Sequence, residues 1–363
     1  MDKEATVVLR GVSTGYRQGK HVSMVSKGLD AQLHAGELTC LLGPNGAGKS
    51  TLLRSLAGFQ RTLEGEVTVK GERLESLYGN RLARLVSVVL TNNSGIKNLT
   101  VEQVVALGRS PYTGFWGRLR VRDRRTVDRC LEWVGMDNFR SRRMETLSDG
   151  EKQKVMIAKA IAQETPVIFL DEPTAFLDYP SKVSMLLLLH RLAKALKKTV
   201  FLSTHDLEHA LQVADQVWLL DKEHGLTTGM PEDLCGNGTV ERYFNRPGLL
   251  FDASSGAFSI EHECAREILF EGDVDCLNFR LAERAFRRNA MLPIRSLGES
   301  RMEGLRTDVA IRIQGDGLYR LIDHGRVAVC TDKLEQILLV ANATLIKNHI
   351  QSVRDAANMS AFD

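Results

Sequence analysis

The chain has 363 residues, of which 43% are hydrophobic and 26% charged, an ordinary globular composition that excludes general disorder. At roughly 100–200 residues per domain, this length predicts two domains or three. With 48 basic against 45 acidic residues and a net charge of +3, the balance gives no argument for nucleic acid, and none is expected as a partner.

The purely apolar runs, such as 185–189, fall far short of the ~18–20 residues that cross a bilayer. Met1-Asp2-Lys3-Glu4 followed by Val7-Val8-Leu9 lacks the charge and length pattern of a signal peptide. The six cysteines show no paired spacing, which fits reduced thiols better than a disulfide framework. A soluble cytoplasmic protein is the expectation.

In chain order, Leu38-Thr39-Cys40-Leu41-Leu42 predicts a buried strand that runs into a glycine-rich turn. Val167-Ile168-Phe169-Leu170, Thr199-Val200-Phe201-Leu202-Ser203 and Val217-Trp218-Leu219-Leu220 predict three more. Continuous apolar runs of this kind belong to a parallel sheet covered on both faces. Between 99 and 143 the pattern turns helical and rich in arginine, which predicts a helical insertion. The basic run from Arg118 to Arg125 reads as a solvated face. Turn residues cluster at Cys235-Gly236-Asn237-Gly238-Thr239 and Asn245-Arg246-Pro247-Gly248, which predicts a boundary there. Beyond it Ile268-Leu269-Phe270 reads as a strand. A helix over 275–289 would place Leu277, Leu281 and Ala285 on one face. Val309, Ile311 and Ile313 alternate as a half-buried strand, and Leu334, Leu338, Ala341 and Leu345 return to helical spacing.

The chemistry concentrates at Gly43-Pro44-Asn45-Gly46-Ala47-Gly48-Lys49-Ser50, which satisfies G-x-x-x-x-G-K-[ST] between a strand and a helix that opens with Thr51. Such a turn points backbone N–H groups inward to cradle phosphate oxygens, aided by the positive end of the helix. Lys49 then reaches the β- and γ-phosphates of a nucleotide, and the Ser50 hydroxyl is placed for Mg²⁺. The strand 167–170 ends in Asp171-Glu172, giving one carboxylate toward Mg²⁺ and one to polarise an attacking water. Leu147-Ser148-Asp149-Gly150-Glu151 opens another helix, and Ser148 with the Gly150 amide suits an anion.

The order of these motifs resembles the nucleotide-binding subunit of ABC transporters, over roughly residues 5–240. The resemblance implies an α/β fold: a P-loop NTPase, ABC-type ATPase domain (1–245) with a helical subdomain at about 92–160, followed by a small α+β C-terminal domain (246–363). It implies that Tyr16 stacks on adenine and that Phe176-Leu177-Asp178 faces the opposite active site. It also implies that His205, in Ser203-Thr204-His205-Asp206, is the switch histidine. ATP and Mg²⁺ are the implied cofactors, bound by Tyr16, Gly43, Pro44, Asn45, Gly46, Ala47, Gly48, Lys49, Ser50, Thr51, Ser148, Gly150 and Asp178, with Glu172, His205 and Lys49 catalytic. Ser50, Asp171 and Thr91 are the implied metal residues, Thr91 standing where the family carries a glutamine. Asp149 and Glu151 depart from the usual Leu-Ser-Gly-Gly-Gln signature, and Asp149 is expected to face away from the triphosphate.

The implied partners are a second copy of the chain in an ATP-sandwich dimer, two transmembrane permease subunits and, indirectly, a substrate-binding protein. That places the chain peripherally on the inner face of the cell membrane. The stretch from Leu99 through Gly108-Arg109-Ser110-Pro111-Tyr112 and on to Gly114-Phe115-Trp116-Gly117 looks like the iron–siderophore, haem and cobalamin import branch. The alternative is a soluble ABC-type ATPase acting as an ATP-dependent conformational switch outside transport. The C-terminal domain is expected to tune the ATPase.

Overall fold

A computed structural model describes residues 4–19, 21–90, 98–114, 117–295, 309–314 and 317–359. The chain opens with two long strands, β1 (Ala5–Gln18) and β2 (His21–His34), then the buried strand β3 (Leu38–Leu42) and helix α1 (Lys49–Leu56). Strands β4 (Glu64–Val69) and β5 (Glu72–Arg73), helix α2 (Asn80–Leu85) and strand β6 (Val86–Val89) follow. The helical insertion holds α3 (Val101–Ala106), α4 (Val121–Val134) and α5 (Asp149–Ala162). Next come β7 (Val167–Asp171), α6 (Tyr179–Leu196), β8 (Thr199–Ser203), α7 (Leu207–Val213), β9 (Gln216–Leu220) and β10 (Leu226–Gly229). Two short helices, α8 (Pro231–Gly236) and α9 (Thr239–Phe244), close this part.

These strands make two sheets, an antiparallel one ordered β2-β1-β4-β5 and a six-stranded one ordered β10-β9-β3-β8-β7-β6. In the second, every pair is parallel except β10 with β9. Every residue of β3, β7 and β8 is buried, as covering on both faces requires. Alternation then sorts the apolar side chains. Cys40, Leu42, Ile168, Leu170, Val200 and Leu202 join the core shared with the helical insertion. Leu41, Val167, Phe169, Phe201 and Trp218 join the core under the antiparallel sheet. There Phe201 packs edge-on with Phe169 and Trp218, ring centres 5.8 and 4.9 Å away.

The helical insertion is locked to this scaffold at one end of α5. A Cβ on Gly108 would lie 2.3 Å from Lys159 O, so only glycine permits so close an approach. Arg109, 2% exposed, donates to Ala162 O (2.6 Å), Glu164 Oε2 (2.7 Å) and Asp123 Oδ1 (3.0 Å), and stacks 4.2 Å from the Tyr112 ring centre. Tyr112 donates to Gln163 O, and Gln163 donates to Ala83 O and Val86 O at the head of β6. Deep burial of a guanidinium is tolerable because its donors meet these acceptors.

The chain divides into two compact units, one of residues 1–247 with 251–259 and one of 248–250 with 260–363. The hairpin of β11 (Leu249–Asp252) and β12 (Ala257–Ile260) lies where they meet in sequence. The second unit comprises β13 (Arg266–Gly272), α10 (Leu277–Arg288), β14 (Met291–Arg295), β15 (Val309–Ile313), β16 (Tyr319–Asp323), β17 (Arg326–Thr331) and α11 (Leu334–Met359). Its sheet runs β14-β13-β15-β16-β17. The face expected of α10 is only partly buried: Leu277 and Leu281 are exposed, while Ala285 is buried along with Phe279, Ala282 and Phe286. Two apolar stripes compete on this helix. The aromatic one wins because Phe279 and Phe286 pack edge-on against Phe270 at 5.6 and 5.0 Å, adding ring geometry to the larger area removed from water.

Candidate functional site

Polar groups from several segments converge at the carboxyl ends of β3, β7 and β8. The turn 43–48 between β3 and α1 is built on glycines that nothing else replaces. A Cβ at Gly43 would lie 2.0 Å from Leu220 O. Gly48 has φ +101°, and a Cβ there would meet Val25 Cγ1 at 2.4 Å. Gly46, at φ +77°, completes a backbone that L side chains rarely adopt. The turn delivers the chain into α1 with Lys49 and Ser50 on its first turn.

Lys49 is buried, and its ammonium turns back onto the loop to donate to Gly43 O (2.7 Å) and Pro44 O (3.2 Å). Burial holds it below the usual lysine range, partly offset by the carboxylates of Glu172 and Asp171. The ammonium also lies 3.4 Å from His205 Nδ1. Because an ammonium only donates, Nδ1 is the acceptor and the ring proton is assigned to Nε2. That nitrogen is 2.5 Å from Glu172 Oε1. Lys49, His205 and Glu172 thus form one continuous polar chain.

Asp171 is buried at the end of β7 and accepts from Ser203 Oγ at 2.7 Å and Ser50 Oγ at 3.3 Å. The Ser50 hydroxyl and Asp171 carboxylate are hard oxygen donors side by side, a set that suits Mg²⁺. Ser203 also takes the backbone N–H of Glu172 on its Oγ at 3.1 Å. Glu172 itself has φ +47°, an uncommon conformation for a residue with a Cβ. The Ser203 contact and the His205 contact hold that strained residue in place. Tyr16 sits at the rim, half exposed, its hydroxyl 3.0 Å from Thr51 Oγ1.

The residues expected to face a second active site are built differently. Ser148 caps α5 by accepting from Glu151 N (3.3 Å), while Glu151 Oε2 accepts from Ser148 N (2.8 Å), a reciprocal capping box. Glu151 therefore serves this helix end with its carboxylate. Asp149 is bound by Lys152 at 3.0 Å. A Cβ on Gly150 would find only Leu177 Cδ2 at 3.7 Å and Ser181 Oγ at 4.0 Å, so that turn is open. Asp178 caps α6 by accepting from Ser181 N at 3.1 Å, and those Ser181 hydrogen bonds hold its carboxyl below the usual range. Phe176 beside it is 90% exposed. The side-chain hydrogen bonds of Ser148 and Asp178 stay at their own helix ends, so these residues are not drawn into the Lys49 group. Thr91 lies outside the described residues.

Sequence reasoning gave no role to Ser203, Thr174 or Lys182. Ser203 pairs in register with Asp171 across β7 and β8, which puts its hydroxyl between the two acids. Thr174 and Lys182 both donate to Asp206 (3.2 and 3.0 Å), tying the loop after β7 to the segment that carries His205. The sequence offered only a hydroxyl at the end of a buried strand; its place opposite Asp171 comes from the strand register.

A family model described as ABC transporter matches residues 26–175. An uncharacterized ABC transporter ATP-binding protein of Methanocaldococcus jannaschii is 36% identical over 251 residues, covering 69% of this chain and 85% of its own. The ferric enterobactin transport ATP-binding protein of Escherichia coli is 30% identical, covering 69% and 91%. The achromobactin transport ATP-binding protein of Dickeya dadantii is 35% identical, covering 60% and 81%. Among solved structures, a dimeric ATP-binding cassette in a post-hydrolysis state with ADP and Pi is 27% identical with a TM-score of 0.54, covering 62% of this chain and 98% of that one. An inward-facing ABC transporter described as metal-chelate type is 25% identical with a TM-score of 0.58, covering 70% and 96%.

Proposed function

The chain belongs to the family of ABC transporter ATP-binding subunits, and from that premise we propose that it drives import of an iron–siderophore, haem or cobalamin-type cargo through separate permease subunits. It is an ATPase of the ABC type. The observation that carries the site assignment is the convergence of Lys49, Asp171, Glu172 and His205, linked by contacts of 2.5–3.4 Å through Ser50 and Ser203. Among the described residues no helix is long and apolar enough to cross a membrane, so the path for cargo belongs to other subunits.

In this reading the phosphates of ATP take the place of the Gly43 and Pro44 carbonyls on Lys49. A partly desolvated ammonium gains most from an anionic partner, because charge-assisted hydrogen bonds strengthen out of water. Ser50 and Asp171 would hold Mg²⁺, which supplies charge neutralisation on the phosphates. Glu172 orients the attacking water and takes its proton, with His205 Nε2–H fixing the carboxylate's direction. Tyr16, at the rim, offers its ring to the base. Ser148 and the Gly150 amide, at the free end of α5, serve the nucleotide of a second copy, and Asp178 faces that partner. The relatives' names support a siderophore or cobalamin-type cargo; in this reading the chain works on the inner face of the membrane beside its permease and, through it, a substrate-binding protein.

Glu172→Gln should keep nucleotide binding, lower turnover at least a hundredfold and trap an ATP-bound dimer visible by size-exclusion chromatography. Wild-type turnover in that variant would remove Glu172 from its role. Affinity capture of the chain from native membranes in mild detergent should recover a polytopic permease. Recovery of soluble partners alone would return the conformational-switch reading.

A further inference from the structure

The helical insertion carries a charge pattern that the ATPase reading does not use. Arg118, Arg120, Arg122, Arg124, Arg125 and Arg129, on and just before α4, are all exposed. Among the described residues none of these six guanidinium groups forms an ion pair. Two of the three acids on α4 are already engaged, and the third, Glu132, is exposed on the same side as the arginines. Asp123 is buried and accepts from Arg109 Nε (3.0 Å) and from the Arg120 backbone N–H (2.9 Å), and Asp128 pairs with Arg140.

Helical geometry explains the arrangement. At 100° per residue, Asp123, Thr126, Val127, Cys130, Leu131 and Val134 fall on one side of α4 and are buried. Arg124, Arg125, Arg129 and Arg122 fan across the opposite arc, with Val121, 69% exposed, near its middle, while Arg120 is the extended N-cap residue before the helix. The Arg109–Asp123 pair fastens the first turn of the helix to the body of the insertion, so the arc stays turned outward.

We propose that this face of α4 docks on the anionic headgroups of a phospholipid bilayer. Clustered guanidinium groups bind phosphate oxygens in paired hydrogen bonds. A basic arc around a single exposed aliphatic side chain suits the headgroup boundary, where charge meets phosphate and the apolar centre meets the acyl edge. No aromatic ring interleaves the arginines over 117–129, which sets the surface apart from a single-stranded nucleic-acid platform. The choice of a bilayer rests on the transporter reading, which puts this insertion beside membrane subunits.

The test uses the purified full-length chain and vesicles of two compositions, phosphatidylcholine alone and phosphatidylcholine with one part in three phosphatidylserine. Co-sedimentation is expected with the anionic vesicles and absent with the neutral ones. Each arginine at such a surface contributes about fivefold in affinity, so Arg122→Gln/Arg125→Gln/Arg129→Gln should bind about a hundredfold more weakly. Its ATPase rate in solution should equal that of the unmodified chain. Equal binding to neutral vesicles, or undiminished binding by the triple variant, overturns the proposal. So does tighter binding of a single-stranded oligonucleotide through the same arginines. Vesicle binding without any permease in the native-membrane capture would sink the transporter reading and leave this surface standing. A recovered permease with no vesicle binding would do the reverse.

Discussion

The two faces expected to grip nucleotide are built on opposite plans. The Lys49 face is tertiary: residues from α1, β7 and β8 and the segment after β8 meet in buried and part-buried contacts, and each polar group holds another. The Ser148 face is local, a single helix end whose cap is closed by a residue three positions on. One is pre-organised within a single chain. The other is a capped helix end that makes no contact with the Lys49 group, the asymmetry that the proposed sandwich of two copies calls for.

Substitutions can break each plan separately. Lys49→Ala should cost the most, lowering nucleotide affinity about a hundredfold in a fluorescent-ATP titration of the isolated chain; unchanged affinity would dissolve the Lys49 face as a phosphate site. Ser203→Ala frees Asp171 and the Glu172 N–H together, and should lower kcat about tenfold with little change in KM. A KM effect alone would mean that Ser203 holds the fold and not the acids. Ser148→Ala removes one cap, costing about 1 kcal/mol of stability. It should leave single-chain ATP affinity intact and abolish the ATP-dependent dimer formed in the Glu172→Gln background. Loss of affinity in the single chain would erase the distinction between the two faces.

The smallest effect is chemical. Cys40 lies in β3 below the phosphate loop and Cys130 in α4, and burial pushes both thiols up to about 12. Neither should react with iodoacetamide in the native protein, while the exposed Cys330 should react readily. Intact-mass analysis of a brief labelling reads this directly. Labelling of Cys40 ahead of Cys330 would show that the core under the Lys49 face opens more easily than its packing implies.

What was legible in the sequence follows from the range of the physics involved. The phosphate turn is a local device: glycines with special backbone angles, then lysine and serine on the first turn of a helix. Its pattern is complete within eight residues. Apolar runs fixed β3, β7, β8 and β9 in the same way. Ser203 was not legible as a bridge, because its role depends on strand register between segments 32 residues apart. The buried face of α10 was only partly legible because spacing alone ranks two leucines above two phenylalanines, and only the Phe270 ring in the neighbouring strand decides. Arg109 reads as one more arginine in a basic insertion. Its burial depends on Asp123 and Glu164, 14 and 55 residues away.

The lock around Gly108 and Arg109 has a mechanical consequence. It pins α5 at its carboxyl end, where Arg109 holds Ala162 O and Gly108 sits against Lys159, and leaves Ser148 at the far end. Fourteen residues of helix make an arm of about 21 Å at ~1.5 Å per residue. A tilt of only about 10° at the pinned end would sweep Ser148 through about 4 Å, more than the span between a made hydrogen bond and a broken one. In the proposed sandwich of two copies, a small rotation at this root would therefore give its largest travel at Ser148.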